Sequence, residues 1–238
     1  MLNINFGLAI ASETGDSKEL EKYLQEALDL SIDAVELSFT KVEKIGDSIT
    51  DKVIELFGKF KYKSIHLPVK HNEQYFTYPD ISIDKEIEII DNILQKINID
   101  TVLVHPDQIG ESNWLADKYG KLLAFENMDI RKNFGKSIDD MKQVFEKFPQ
   151  AKFVFDVNHL WTNDHSMETA KYFFNEFHNR LTHYHLSGYG LLHDALCCSR
   201  EDEILKGLMS FDCPIIDEGH LSQKGLIKEE YQYILDRL

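Results

Sequence analysis

Apolar residues run through this chain in two alternating rhythms. In Phe153-Val154-Phe155-Asp156 the two phenylalanines share one face, and Val154 and Asp156 share the other, because side chains alternate along a strand. The aromatic face calls for a cover of helices. The run Leu20, Tyr23, Leu24, Ala27, Leu28 has instead the spacing of an amphipathic helix. Taken in order, the pattern predicts strands over 4–10, 34–39, 64–69, 101–106, 122–127, 153–156, 181–186 and 214–218. Helices are expected between them over 16–30, 48–60, 82–97, 114–119, 137–148, 166–177 and 199–208, with a last one over 228–238. His159 is expected in the loop after the sixth strand.

Strands that alternate with helices pair in parallel through right-handed crossovers. No linker, low-complexity stretch or break in composition divides the chain, so 1–238 reads as one domain. The alternation alone also allows an open, doubly wound sheet. Eight strands in 238 residues favour a closed (β/α)8 TIM barrel, a form that typically takes about 250 residues.

Such barrels carry their chemistry at the C-terminal mouth of the strands. On the face shared with the small interior positions, strand two ends in Glu36, strand three in His66 and strand four in His105. Strand five ends in Glu126, strand six in Asp156, strand seven in His185 (preceded in phase by His183) and strand eight in Glu218. Any one of these is explained by an ordinary hydrogen bond. Seven in phase bring acidic groups together that would repel and raise one another's pKa unless cations sat among them. Carboxylate and imidazole donors suit manganese, zinc, cobalt, iron or magnesium. Ser187-Gly188-Tyr189-Gly190 after strand seven offers either backbone amides for a phosphate or an ordinary loop.

The bulk numbers narrow the partners. With 41 acidic against 26 basic residues the net charge is -15, which disfavours nucleic acid and anionic membrane. The three cysteines, Cys197, Cys198 and Cys213, make no disulfide framework and fit a reducing compartment. No apolar run is long enough to span a bilayer and the N-terminus lacks a signal peptide's basic and apolar regions, so a cytoplasmic protein is expected.

The set Ala34-Val35-Glu36-Leu37, Val104-His105-Pro106, Phe125-Glu126-Asn127-Met128, Asp156-Val157-Asn158-His159, His185-Leu186-Ser187 and Ile216-Asp217-Glu218 resembles the strand ends of the xylose isomerase-like TIM barrels. That superfamily contains sugar isomerases and epimerases and also endonuclease IV. The isomerase and epimerase branch implies one divalent ion held by Glu126, Asp156, His185 and Glu218. Glu126 and Glu218 would trade a proton beside a metal-bound carbonyl of a small carbohydrate, with His159 at substrate oxygens and Glu36 in the outer site. The endonuclease IV branch implies a phosphodiesterase with up to three zinc ions, His66 and His105 joining Glu126. The third zinc would take His159 and His193, but Leu191 stands where that pattern has an aspartate. The expected function is a metal-dependent sugar or sugar-phosphate isomerase or epimerase, with a zinc phosphodiesterase as the alternative and a non-catalytic sugar-binding barrel as the third reading.

Overall fold

Val35, Leu37, Ile65, Val102, Phe125, Phe153 and Phe155 alternate with small or polar residues, and all belong to one apolar core that fills the space between sheet and helices. The sheet that places them is a closed ring of eight parallel strands. The computed structural model describes residues 4–190 and 193–238. The strands are β1 (Phe6–Ile10), β2 (Ala34–Ser38), β3 (Tyr62–His66), β4 (Thr101–Val104), β5 (Leu123–Glu126), β6 (Lys152–Asp156), β7 (Leu181–Leu186) and β8 (Ile215–Asp217). Each pairs with its neighbours in sequence, and β1 pairs with β8 to close the ring. The (β/α)8 expectation holds, and the open sheet is excluded.

A second apolar cluster, separate from the first, lies inside the ring: Leu103, Ala124 and Val154, none exposed. Gly7 is needed there because the strands come so close. A Cβ at that position would lie 2.5 Å from Ile216 Cδ1 and 2.7 Å from Ala34 Cβ. Below the plug, the Tyr62 hydroxyl meets Thr101 Oγ1 at 2.8 Å and Thr182 Oγ1 at 2.9 Å. The barrel is therefore packed through its length and is open to chemistry only at the mouth.

One irregularity sets the phase of β7. Phe153 pairs with Leu181, but Val154 pairs with His183, so Thr182 is an extra residue. Such a bulge breaks the two-residue period. Leu181 packs with the outer core, and regular alternation from it would turn His183 and His185 outward too. With the bulge, both imidazoles face inward.

The helices follow their caps. Asp16 accepts from Lys18 N at the start of α1 (Ser17–Asp29), and Thr50 accepts from Val53 N ahead of α2 (Asp51–Phe57). Helices α3 (Asp84–Lys96) and α4 (Trp114–Tyr119) match the predicted spans closely. Ser137 and Asp140 form a capping box on α5 (Ile138–Lys147). Three expectations are corrected. His159 is not in a loop: α6 (Val157–Asn163) starts directly after β6, with Asp156 as its cap. The helix expected over 166–177 begins only at Ala170, as α7 (Ala170–Phe177), because Asp164 holds Ser166 and Thr169 in a turn before it. The helix expected over 199–208 is instead a short α8 (Leu196–Ser199) and a 3-10 stretch Asp202–Gly207, broken at Arg200, whose φ is 67°. No helix among the described residues is long and apolar enough to cross a membrane.

Leu103→Ala should test the interior plug. It removes a fully buried side chain from a cluster that helices cannot refill. A loss of about 2–5 kcal/mol is expected in urea unfolding, with the far-UV spectrum unchanged.

Candidate metal centre

The strand ends meet around one carboxylate. Glu126, at the end of β5, has His105 Nε2 at 2.9 Å and His66 Nε2 at 3.2 Å from Oε1. On its other oxygen, Oε2, it has His185 Nδ1 at 3.3 Å and His159 Nδ1 at 3.6 Å. Glu126, Asp156, His185, His66 and His159 are all buried. Glu218 stands at the rim of the same group, with Oε2 3.4 Å from His185 Nδ1.

Two donor sets share Glu126. In one, atoms of His66, His105 and Glu126 lie within 4.8 Å of one another; in the other, those of Glu126, Asp156 and His185 do. Such spacing fits ligands at about 2.0–2.2 Å from a common cation. The hydrogen bonds point the same way. His66 Nδ1 sits 2.8 Å from the Leu67 carbonyl oxygen, which only an N–H can satisfy, so Nε2, 3.2 Å from Glu126 Oε1, is the nitrogen that a cation would take in place of its proton. Asp156 Oδ1 accepts from the His159 backbone N–H at 2.7 Å, while Asp156 Oδ2 and His185 Nδ1 are buried without a hydrogen-bond partner among the described residues. Buried polar atoms are rarely left so. A cation would satisfy both, so the residues present fit a divalent metal.

Electrostatics describe the same strain. Burial opposes ionisation of Glu126, yet His105, His185 and His66 outweigh it and hold the carboxyl well below its usual range. Burial, with the Glu126 charge adding, pushes Asp156 up to about 6. Burial and the charges of Asp156, Glu126 and Glu36 push Glu218 up to about 7 against the pull of His185. His66 is raised to about 9: burial works against its charge, but the hydrogen bond and charge of Glu126 prevail.

The remaining candidates take different places. Glu36 is fully buried and pairs in register with Ser64, one inward position below His66, so it lies beneath the ring and not at an outer edge. His193 Nδ1 is 3.1 Å from Ser187 Oγ and 3.6 Å from Glu218 Oε2, and its ring centroid is 5.7 Å from that of His159. Leu191 lies outside the described residues. After β7, Gly188 N–H donates to Asp194 O and Tyr189 N–H to Glu201 Oε2, so neither of these amides is offered to a phosphate. Two residues of the site escape sequence reasoning. His183, in phase with His185, faces it from below, and Asp129 is held beside His159 by a fork from Arg131. The in-phase pair His183 and His185 is the available signal for the first, and nothing local marks the second.

A cavity of about 550 Å³ opens above the centre, lined by His66, His105, Glu126, His159, His193 and Glu218. Lys41, Lys44, Lys70, Arg131 and Lys132 line its rim, together with the half-exposed ring of Tyr75.

No family model matches the sequence, and no curated protein matches it. Solved structures do. An endonuclease IV from Thermus thermophilus superposes with a TM-score of 0.62 at 13% identity, over 96% of this chain and 99% of that one. D-psicose 3-epimerase gives 0.60 at 12% identity, over 97% and 96%. The N-acetylneuraminic acid synthetase of Leptospira borgpetersenii serovar Hardjo-bovis gives 0.51 at 10% identity, over 97% and 84%. Proteins named for different reactions share this architecture, so the likeness speaks to fold and leaves chemistry to the site. The chain has the closed (β/α)8 TIM-barrel fold that it shares with these solved structures.

Proposed function

We propose that the protein is a divalent-metal phosphoester hydrolase whose two cations share Glu126, acting on a phosphorylated carbohydrate or a small phosphodiester. The observation that carries this reading is the convergence of His66, His105 and Glu126 at 2.9–3.2 Å beside a second donor set. A single-ion isomerase would use only the second set to hold its metal. The basic rim is a second support. Lys41, Arg131 and Lys132 there pair with Glu73, Asp129 and Asp107, while Lys44 and Lys70 have no ion pair among the described residues and would favour an anionic ligand. The cavity volume is in the range for a small molecule.

When bound, a pair of divalent cations supplies electrophilic stabilisation of phosphoryl charge and acidifies water. The chain's own side chains do the rest. Glu126 would serve both cations, with His66 and His105 for one and Asp156 and His185 for the other, and the Leu67 carbonyl fixes the His66 ring. Lys44 and Lys70 at the rim would orient the anion. Glu218, at the rim beside His185, would take or give a proton at Oε2.

A second reading, the sugar or sugar-phosphate isomerase or epimerase, is favoured by one observation. Glu126 and Glu218 both approach His185 Nδ1, at 3.3 and 3.4 Å, so two carboxylates could flank one cation-bound substrate.

Elemental analysis of protein prepared without chelator should give two divalent ions per chain, zinc or manganese. His66→Ala and His105→Ala should each lose one ion and bring hydrolysis of bis-p-nitrophenyl phosphate to near background. One ion per chain, with solvent deuterium exchange into a ketose phosphate that survives His66→Ala but not Glu126→Gln or Glu218→Gln, would replace this reading with the isomerase. Binding of sugars without either reaction would leave only the binding barrel.

The raised carboxyls set a pH dependence. In the metal-free protein the folded chain holds protons on Asp156 and Glu218 more tightly than the unfolded chain does. Their stabilising contribution is thus present below the ordinary carboxylate range and is lost as pH rises through about 6 to 7. A cation held by Glu126, Asp156 and His185 requires Asp156 ionised and would favour the charged form of Glu218 beside it. The gain in Tm on adding zinc or manganese should therefore grow from about pH 5.5 to about pH 8. At pH 6 binding should release protons, seen as a calorimetric enthalpy that changes with the buffer.

A further inference from the structure

Beneath the ring lies a buried group that hydrolysis as proposed does not use. Glu36, Ser64 and His183 are fully buried and do not line the cavity. Ser64 Oγ donates to Glu36 Oε2 at 2.6 Å. Glu36 Oε1 lies 3.2 Å from His185 Nε2 and is buried with no hydrogen bond formed among the described residues, an acceptor still open to that ring. His183 Nε2 lies 3.2 Å from the same His185 nitrogen and 3.6 Å from Glu36 Oε2, while its Nδ1 meets the Tyr62 hydroxyl at 2.7 Å.

His185 thus faces two ways. Its Nδ1, without a hydrogen-bond partner, points to Glu126 and Glu218; its Nε2 points down to Glu36 and His183. A neutral imidazole that ligates through one nitrogen carries its proton on the other, and that N–H needs an acceptor. Two atoms are in reach at equal distance, a neutral imidazole nitrogen and a carboxylate oxygen. The carboxylate is the stronger acceptor. Ser64 occupies the other carboxylate oxygen, so Oε1 is left to the ring.

We propose that Glu36 is a positioning residue of the centre: from beneath, it accepts the Nε2–H of His185 and so turns the Nδ1 lone pair toward the cation held with Glu126 and Asp156. His183, fixed by Tyr62, closes the other side of the ring and keeps water from competing for that proton. The proposal rests on the metal reading above but not on which reaction follows. A carboxylate behind a ligating histidine also makes it a better donor, so the effect belongs to one of the two donor sets. The set of His66 and His105 has its own acceptor, the Leu67 carbonyl.

The test uses the full chain with 15N-labelled histidine, loaded with zinc. Long-range 1H–15N spectra, with His185→Gln for assignment, should show His185 protonated at Nε2 and shifted by zinc at Nδ1. Glu36→Gln should lower affinity for the zinc ion at Asp156 and His185 by about 10–100-fold, measured by chelator competition, and leave the ion at His66 and His105 nearly unchanged. A folded Glu36→Gln protein with unchanged affinity and an unchanged His185 signal would overturn the proposal, since a merely structural Glu36 would move Tm alone. So would an anomalous zinc peak enclosed by Glu36, His183 and His185, because that ion would take the Nε2 position itself. Should Glu36→Gln not fold, Ser64→Ala, which loosens the carboxylate, should give a smaller loss in the same direction. A wild-type protein that binds no zinc would remove this proposal and the hydrolase together. Zinc bound with no hydrolysis would remove the hydrolase alone.

Discussion

The Glu126 carboxylate is the contact on which the mouth of this barrel depends. Four imidazoles stand within 3.6 Å of its two oxygens, contributed by β3, β6 and β7 with their following segments and by the residue after β4. A buried carboxylate is costly unless hydrogen-bonded or paired. Here its surroundings favour its charge strongly enough to keep it ionised despite complete burial. The neighbouring acids show the opposite response, Asp156 and Glu218 being driven up by burial and by the carboxylate charges beside them. The result is a site short of positive charge at its centre, which divalent cations would correct.

Around that centre the barrel is built in layers along its axis. Leu103, Ala124 and Val154 fill part of the interior, and the buried Glu36 and His183 lie inside the ring with them. The ring of Glu126, Asp156 and His185 comes next, and the basic rim of Lys41, Lys70, Arg131 and Lys132 meets solvent. Polarity rises toward the opening, while the apolar floor keeps water from the ring's lower side. The overall negative charge of the chain is a poor guide to this mouth, because the charges that face the cavity are sorted differently from those on the outer helices.

Much of this is legible in the residues alone. The period-two alternation places all eight strands, and the phase of Glu126, Asp156 and His185 against Ala124, Val154 and His183 identifies inward positions without any geometry. Local caps such as Ser137 and Thr50 give helix starts to within a few residues. What escapes depends on partners distant in sequence. The stretch after β7 carries the apolar spacing of a helix, with Ile204, Leu205 and Leu208 buried, yet the backbone there is held by Glu230, which accepts from the amides of Leu196 and Cys197. A loop is the natural expectation for His159 because a strand end usually opens into one, whereas the Asp156 carboxylate starts a helix at once. The amides of Gly188 and Tyr189 look available on paper and are occupied by Asp194 and Glu201 in the fold.

The extra residue at Thr182 uncouples two demands that a regular strand would tie together. Leu181 has to face the helix layer, and His183 and His185 have to face the axis; with a strict alternation one of these requirements would defeat the other. By absorbing the mismatch at the base of the strand, where the hydroxyls of Tyr62, Thr101 and Thr182 meet, the chain lets its exterior packing and its interior chemistry be varied separately. Substitutions in the surrounding helices can then accumulate without re-aiming the histidines, and a new arrangement at the mouth can arise without rebuilding the shell.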